Sequence, residues 1–133
     1  GMRVGYLVCE PGLAAAIRSV ATPFGVNLPA QAAATAALGE AELARTAERS
    51  AAVAVERDRV VDALRTQGWQ VPEAQGNFFW LGVDEETTAL AEHFRAAGIL
   101  VRPFVGEGVR VSIGTTSDNE RVLAAAAAWR TGR

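Results

Sequence analysis

The sequence predicts an α/β chain in which a helical first portion leads, through one long helix, into a small domain of alternating strands and helices. Between Glu40 and Gln67 apolar residues recur at three- and four-residue steps: Leu43, Ala47, Ala51, Ala54 or Val55, Val61 and Leu64. Arg49, Glu56, Arg57 and Asp58 fall outside that stripe, as in an amphipathic helix. After Gly68 the pattern changes to short β-rich runs separated by one helical stretch and closed by another, the pattern of a small α/β unit. Length sets the scale. At 133 residues, 50% of them hydrophobic, the chain can bury one core and is too short for two full domains, so it is one compact unit or a piece of something larger.

Taken in order, Met2 to Val8 reads as a short buried strand stopped by Glu10-Pro11-Gly12. Leu13 to Val20 reads as a helix, Thr22 to Pro29 as a loop fixed by two prolines and a glycine, and Ala30 to Leu38 as a second helix. The long helix is closed by Gly68 as a C-cap. At about 1.5 Å per residue it spans about 40 Å, more than a small domain needs, and is expected to run between two lobes. Strands follow at Trp69 to Val71 and Asn77 to Leu81, a helix at Glu86 to Ala97 closed by Gly98, and strands at Ile99 to Arg102 and Val109 to Ile113. Ser117 with Glu120 has the spacing of a capping box for a last helix that includes Ala124 to Ala128. The expected division is residues 1–52 and 53–133.

Composition excludes several functions. No apolar run approaches about 20 residues, so a membrane-spanning helix is not expected, and Glu10-Pro11 cuts short any signal-peptide core. The expected compartment is the cytoplasm. A net charge of −2 with both signs spread along the chain argues against a nucleic-acid partner. Cys9 and His93, the single cysteine and histidine, cannot make a metal site between them. All 13 basic residues are arginine, so no Schiff base can form on a side chain of this chain.

Among residues that carry chemistry, His93 reads as a helical histidine before it reads as a base, and Cys9 as a buried thiol before a nucleophile. Trp69, Phe78, Phe79 and Trp80 read as core aromatics before they read as a stacking surface. Strand alternation sends Phe78 and Trp80 to one face and Asn77 and Phe79 to the other. Arginines are more informative. Arg102 precedes Pro103 at a strand end, and Arg110 lies inside the apolar run Val109-Arg110-Val111-Ser112-Ile113. A guanidinium among β-branched residues calls for an anion, either a ligand carboxylate or phosphate, or Glu107 or Asp118 within the chain. The Gly106-Glu107-Gly108 turn between them would let both arginines face one ligand.

Several segments, in order, resemble one family. Gly1-Met2-Arg3-Val4-Gly5-Tyr6 resembles the segment that follows the Schiff-base lysine in fold-type I pyridoxal-phosphate aminotransferases. Pro23-Phe24-Gly25-Val26-Asn27 with Ala30-Gln31-Ala32-Ala33, Gly76-Asn77-Phe78-Phe79-Trp80-Leu81, Gly98 to Phe104, Gly108 to Thr115 and Asp118-Asn119-Glu120-Arg121 are similar to later segments. The resemblance covers nearly the whole chain and is nearest the histidinol-phosphate aminotransferase group, within it the aromatic (phenylalanine) aminotransferases. It implies the tail of the large domain, residues 1–52, followed by the small C-terminal α/β domain, residues 53–133.

By the same resemblance Arg3 pairs with the phosphate of pyridoxal 5'-phosphate, Arg110 forks onto the substrate α-carboxylate, and Arg102 matches the position that reaches a substrate phosphate. Asn27 lies in a loop near a homodimer interface and the neighbouring active site, and Phe24 and Phe104 line the side-chain pocket. The Schiff-base lysine is implied to lie upstream of Gly1, so this chain carries no catalytic residue and is inactive alone. The implied substrates are an aromatic amino acid and a 2-oxo acid such as 2-oxoglutarate, or histidinol phosphate in histidine biosynthesis. Two rivals remain: a pyridoxal-phosphate decarboxylase parent, and a non-catalytic anion-binding α/β module.

Overall fold

A computed structural model describes residues 2–132. Three helices come first: α1 (Pro11–Val20), α2 (Leu28–Ala37) and α3 (Glu40–Thr66). They are followed by β1 (Phe78–Gly82), a 3-10 turn (Asp84–Glu86), α4 (Thr87–Ala96), β2 (Arg102–Phe104), β3 (Gly108–Ser112) and α5 (Thr116–Thr131). The chain divides into two compact units, with the boundary between Glu48 and Arg49.

In the first unit the helix starts are chemically specified. The Glu10 carboxylate accepts from the backbone N–H groups of Gly12 and Leu13 at 2.9 and 3.1 Å, and Pro11 stands where no N–H is needed. Those two N–H donors hold the Glu10 carboxyl below its ordinary pKa. Asn27 caps α2 the same way, its Oδ1 accepting from Ala30 N at 2.8 Å. Ala30 is the one buried apolar residue among those described in this unit, while Tyr6, Leu7, Val8, Val20, Phe24 and Leu28 are exposed.

The expected strand at Met2 to Val8 is absent from the described residues: this segment runs without secondary structure. Its apolar letters are β-compatible, but a strand exists only as half of a hydrogen-bonded ladder, and no strand among the described residues pairs with it.

The second unit holds the core. α3 and α4 end on the same device. Gly68 (φ +87°) donates to Arg65 O at 2.9 Å and Trp69 N to Leu64 O at 3.0 Å, while Gly98 (φ +72°) donates to Arg95 O and Ile99 N to Phe94 O, both at 2.9 Å. These are Schellman motifs, and the left-handed residue is glycine in each. Each turn drops the next apolar residue onto the helix it has just left, Trp69 beside Leu64 and Ile99 beside Phe94.

The sheet is antiparallel in the order β1-β3-β2, so β3 is central. Phe79 and Leu81 of β1 and Val109 and Val111 of β3 face inward against Val60, Val61 and Leu64 of α3, Leu90 and Phe94 of α4 and Val122, Leu123 and Ala126 of α5. Period-2 alternation therefore leaves the other face of the sheet for Phe78, Trp80, Arg110 and Ser112.

Three further expectations are corrected. Trp69 and Val71 are buried, but the segment is not a strand; the Val71 carbonyl is taken by the Arg65 guanidinium at 3.1 Å rather than by a ladder. The strand expected at Ile99 to Arg102 lies three residues later, at Arg102–Phe104, because the Gly98 cap uses Ile99 to end α4. The α5 capping box is Thr115 with Asp118, not Ser117 with Glu120. The turn is set by the buried Asn119, whose Oδ1 accepts from Gly114 N at 3.0 Å and whose Nδ2 donates to Gly114 O at 3.1 Å, so the helix begins directly after Gly114.

Asn119 Nδ2 also donates to Glu56 Oε1 of α3 at 3.0 Å, and Glu56 accepts from Arg59 Nε and Nη2 at 3.0 and 2.7 Å. Those bonds, Arg59 first and Asn119 second, lower the Glu56 pKa from 4.5 to about 2. A carboxyl depressed in the folded state contributes stability that is complete above its unfolded pKa and is lost as pH falls toward the folded one. The stability difference between the wild type and Glu56→Gln is therefore expected to shrink as pH drops from 4.5 to about 2. Urea midpoints measured across that range check it, and a difference independent of pH would refute the role of the charge.

Candidate active site

The outward face of the sheet is built by register. Trp80 of β1 and Arg102 of β2 are the direct partners of Arg110 on β3, so the three side chains form one row across the sheet and project from the same side. The Gly106 turn (φ +82°) closes with Glu107 N donating to Phe104 O at 2.9 Å and folds β2 back on β3, which brings Arg102 opposite Arg110 as the spacing suggested.

Aromatic rings frame the row. The Arg110 guanidinium lies 5.2 Å from the Phe78 ring centroid, and that of Arg102 lies 5.3 Å from Phe104. Trp80 tilts against Phe104 at 5.4 Å and 60°. This contact spans the central strand and is possible because the next row on the same face is Gly82 opposite Gly108. A Cβ on Gly108 would stand 2.8 Å from Trp80 Cζ2 and 2.2 Å from Leu81 O, so glycine is required there both for the ring and for its own φ of +156°.

The Arg102 and Arg110 guanidinium groups make no hydrogen bond or ion pair with any described residue. Of the internal partners considered for Arg110, Asp118 is otherwise placed: its carboxylate accepts from Thr115 and stands 4.0 Å from Arg121. Two like charges directly opposite on a ladder repel. They are stable side by side when an anion lies between or above them, and a planar carboxylate suits the guanidinium fork.

The other candidates stand apart from this row. Arg3 is exposed, in the left-handed region (φ +56°), and has no ion pair with a described residue. Asn27 spends its Oδ1 on capping α2, and Phe24, also left-handed, is fully exposed. His93 is structural: its Nε2 lies 2.8 Å from Ala125 O, the geometry of an N–H donor to a carbonyl, and its ring packs edge-on to Trp129 at 5.3 Å, tying α4 to α5. The Cys9 thiol is free and half-buried. Phe78 and Trp80 are not core aromatics: they share the outer face of the sheet, and the contact of Trp80 with Phe104 depends on a strand pairing that spacing does not show.

The model of the aminotransferase class I and II family matches residues 1–126, and the chain belongs to that family. Among curated relatives, the aromatic amino acid aminotransferase of Streptomyces coelicolor A3(2) is 49% identical over 124 residues, covering 92% of this chain and 34% of that protein. The aromatic amino acid aminotransferase of Thermobifida fusca YX is 49% identical over 126 residues, 94% of this chain and 34% of the relative. A crystal structure of a Burkholderia pseudomallei K96243 protein, provisionally described as an aminotransferase, superposes with a TM-score of 0.72 at 31% identity, over 89% of this chain and 37% of that one. The chain thus spans about a third of the length of the curated relatives it matches. No helix among the described residues is long and apolar enough to cross a membrane.

Proposed function

We propose that this chain is the C-terminal part of a pyridoxal-phosphate-dependent aminotransferase that moves an amino group between an aromatic amino acid and a 2-oxo acid such as 2-oxoglutarate. The observation that carries the reading is the unpaired Arg110, held beside Arg102 on a sheet face lined by Phe78, Trp80 and Phe104. Arg110 binds and orients the substrate α-carboxylate, which fixes the α-carbon relative to the cofactor. Residues 1–52 belong to the large domain and residues 53–133 form the small one. The protein works as a homodimer in the cytoplasm, with the Asn27 loop near the neighbouring active site.

The cofactor fits what is present in part. Arg3, an exposed guanidinium without an ion-pair partner among described residues, is suited to hold the phosphate, while a chain without lysine supplies no covalent tether. When bound, pyridoxal phosphate withdraws the electron pair released at the substrate α-carbon. The tether and the proton-transferring base come from outside these 133 residues, so the chain alone does not transaminate. The names of the relatives and the three rings on the arginine face of the sheet favour an aromatic substrate over histidinol phosphate.

The complete polypeptide, loaded with pyridoxal phosphate, is expected to convert phenylalanine and 2-oxoglutarate to phenylpyruvate and glutamate, and residues 1–133 alone to convert neither. Release of carbon dioxide in place of a 2-oxo acid would assign a decarboxylase. Turnover of histidinol phosphate but not of phenylalanine, tyrosine or tryptophan would overturn the aromatic assignment.

A further inference from the structure

We infer that Trp80, laid over the Gly82–Gly108 pair against Phe104, is the residue of this chain that selects an aromatic substrate side chain. The inference rests on the proposed carboxylate role of Arg110. Three observations carry it. Trp80 is the direct register partner of Arg110 and projects from the same face, so any molecule held by the Arg110 fork has the indole as its neighbour. The ring is fixed in place: Gly82 and Gly108 leave a floor without side chains beneath it, with an ideal Cβ at Gly82 3.5 Å from Trp80 Nε1 and one at Gly108 2.8 Å from Cζ2. Phe104 stops it from the far strand at 5.4 Å, and the Arg102 guanidinium lies 5.3 Å from the Phe104 ring centroid.

Phe78 differs in its role. Its ring is occupied by Arg110 itself at 5.2 Å, so it orients the guanidinium, whereas Trp80 makes no ring contact with either arginine and keeps surface for a ligand. Trp80 is neither core nor fully exposed, and lies on the side of the sheet opposite Phe79 and Leu81. A fixed indole beside a carboxylate fork offers a flat apolar wall, which rewards a planar ring and gives nothing comparable to a second carboxylate. Selectivity then comes from a difference between substrates, with Arg110 common to all and Trp80 felt by the aromatic ones.

The test uses the complete enzyme with its cofactor, with Trp80→Leu, which keeps apolar bulk and removes the wall, and Trp80→Phe, which keeps a ring. In Trp80→Leu, kcat/KM for phenylalanine is expected to fall by about threefold to tenfold, as removal of one ring-on-ring packing interaction predicts, while kcat/KM for glutamate changes by less than about twofold. The inhibition constant of 3-phenylpropionate should rise in parallel, that of glutarate should not, and Trp80→Phe should recover most of the activity toward phenylalanine. Equal decreases for phenylalanine and glutamate, or no decrease for either, would overturn the assignment of Trp80 while leaving the aminotransferase reading intact. A wild-type enzyme that transaminates no amino acid would overturn both.

Discussion

Replacing Arg110 with alanine in the complete protein is expected to raise KM for the amino donor and for the 2-oxo acid together, by roughly a hundredfold. Two charge-assisted hydrogen bonds from one fork to one carboxylate are worth about 3 kcal/mol, and each 1.4 kcal/mol is about tenfold. Both substrates carry that carboxylate, so both must respond, and a change confined to one would point to a side-chain contact instead. Arg110→Lys should recover only part of the binding, since an ammonium keeps the charge but not the planar pair of donors. The fold supplies the control. The Arg110 side chain makes no ion pair or hydrogen bond with a described residue, so its removal leaves no buried carboxylate orphaned and should move the urea midpoint little. Unchanged KM values, or a defect explained by unfolding, would refute the role.

What can be read from residue order is the part that depends on neighbours in sequence. The α3 helix, the glycines that end α3 and α4, and the shared face of Phe78 and Trp80 all follow from contacts within a few residues, and all are present; that this face is the outer one is not legible in the alternation. The errors share a different cause. Met2 to Val8 has strand letters and no ladder. Trp69 and Val71 are apolar because they are buried, and the Val71 carbonyl goes to Arg65 instead of a strand. Near α5 two overlapping capping patterns, Thr115 with Asp118 and Ser117 with Glu120, are equally legible, and the choice is made by Asn119 clasping Gly114. In the candidate site, the arginines can be named from their setting. Their alignment with Trp80 cannot, because it needs the registers of two strand pairs that sequence spacing leaves open.

That register has a sharp mechanical consequence in the adjacent pair Phe78 and Phe79. Phe79 is 1% exposed, opposite Val111 and among the side chains of Leu81, Leu90 and Phe94, whereas Phe78 is 39% exposed on the arginine face. Phe79→Ala is expected to destabilise the second unit by about 3–5 kcal/mol, the cost of removing a buried ring plus the cavity it leaves. Against a usual total of about 5–15 kcal/mol this is a large fraction of the stability. Phe78→Ala creates no cavity and should cost less than about 1 kcal/mol. Urea unfolding of the two variants, read as a shift in midpoint at constant slope, separates them. A one-residue slip would exchange every inward and outward side chain of the strand, so equal or reversed costs would mean that β1 is wrongly registered. Trp80 would then point into the core and away from Arg110. The stability ratio of two neighbouring phenylalanines thus tests the same geometry as the substrate preference, without any ligand.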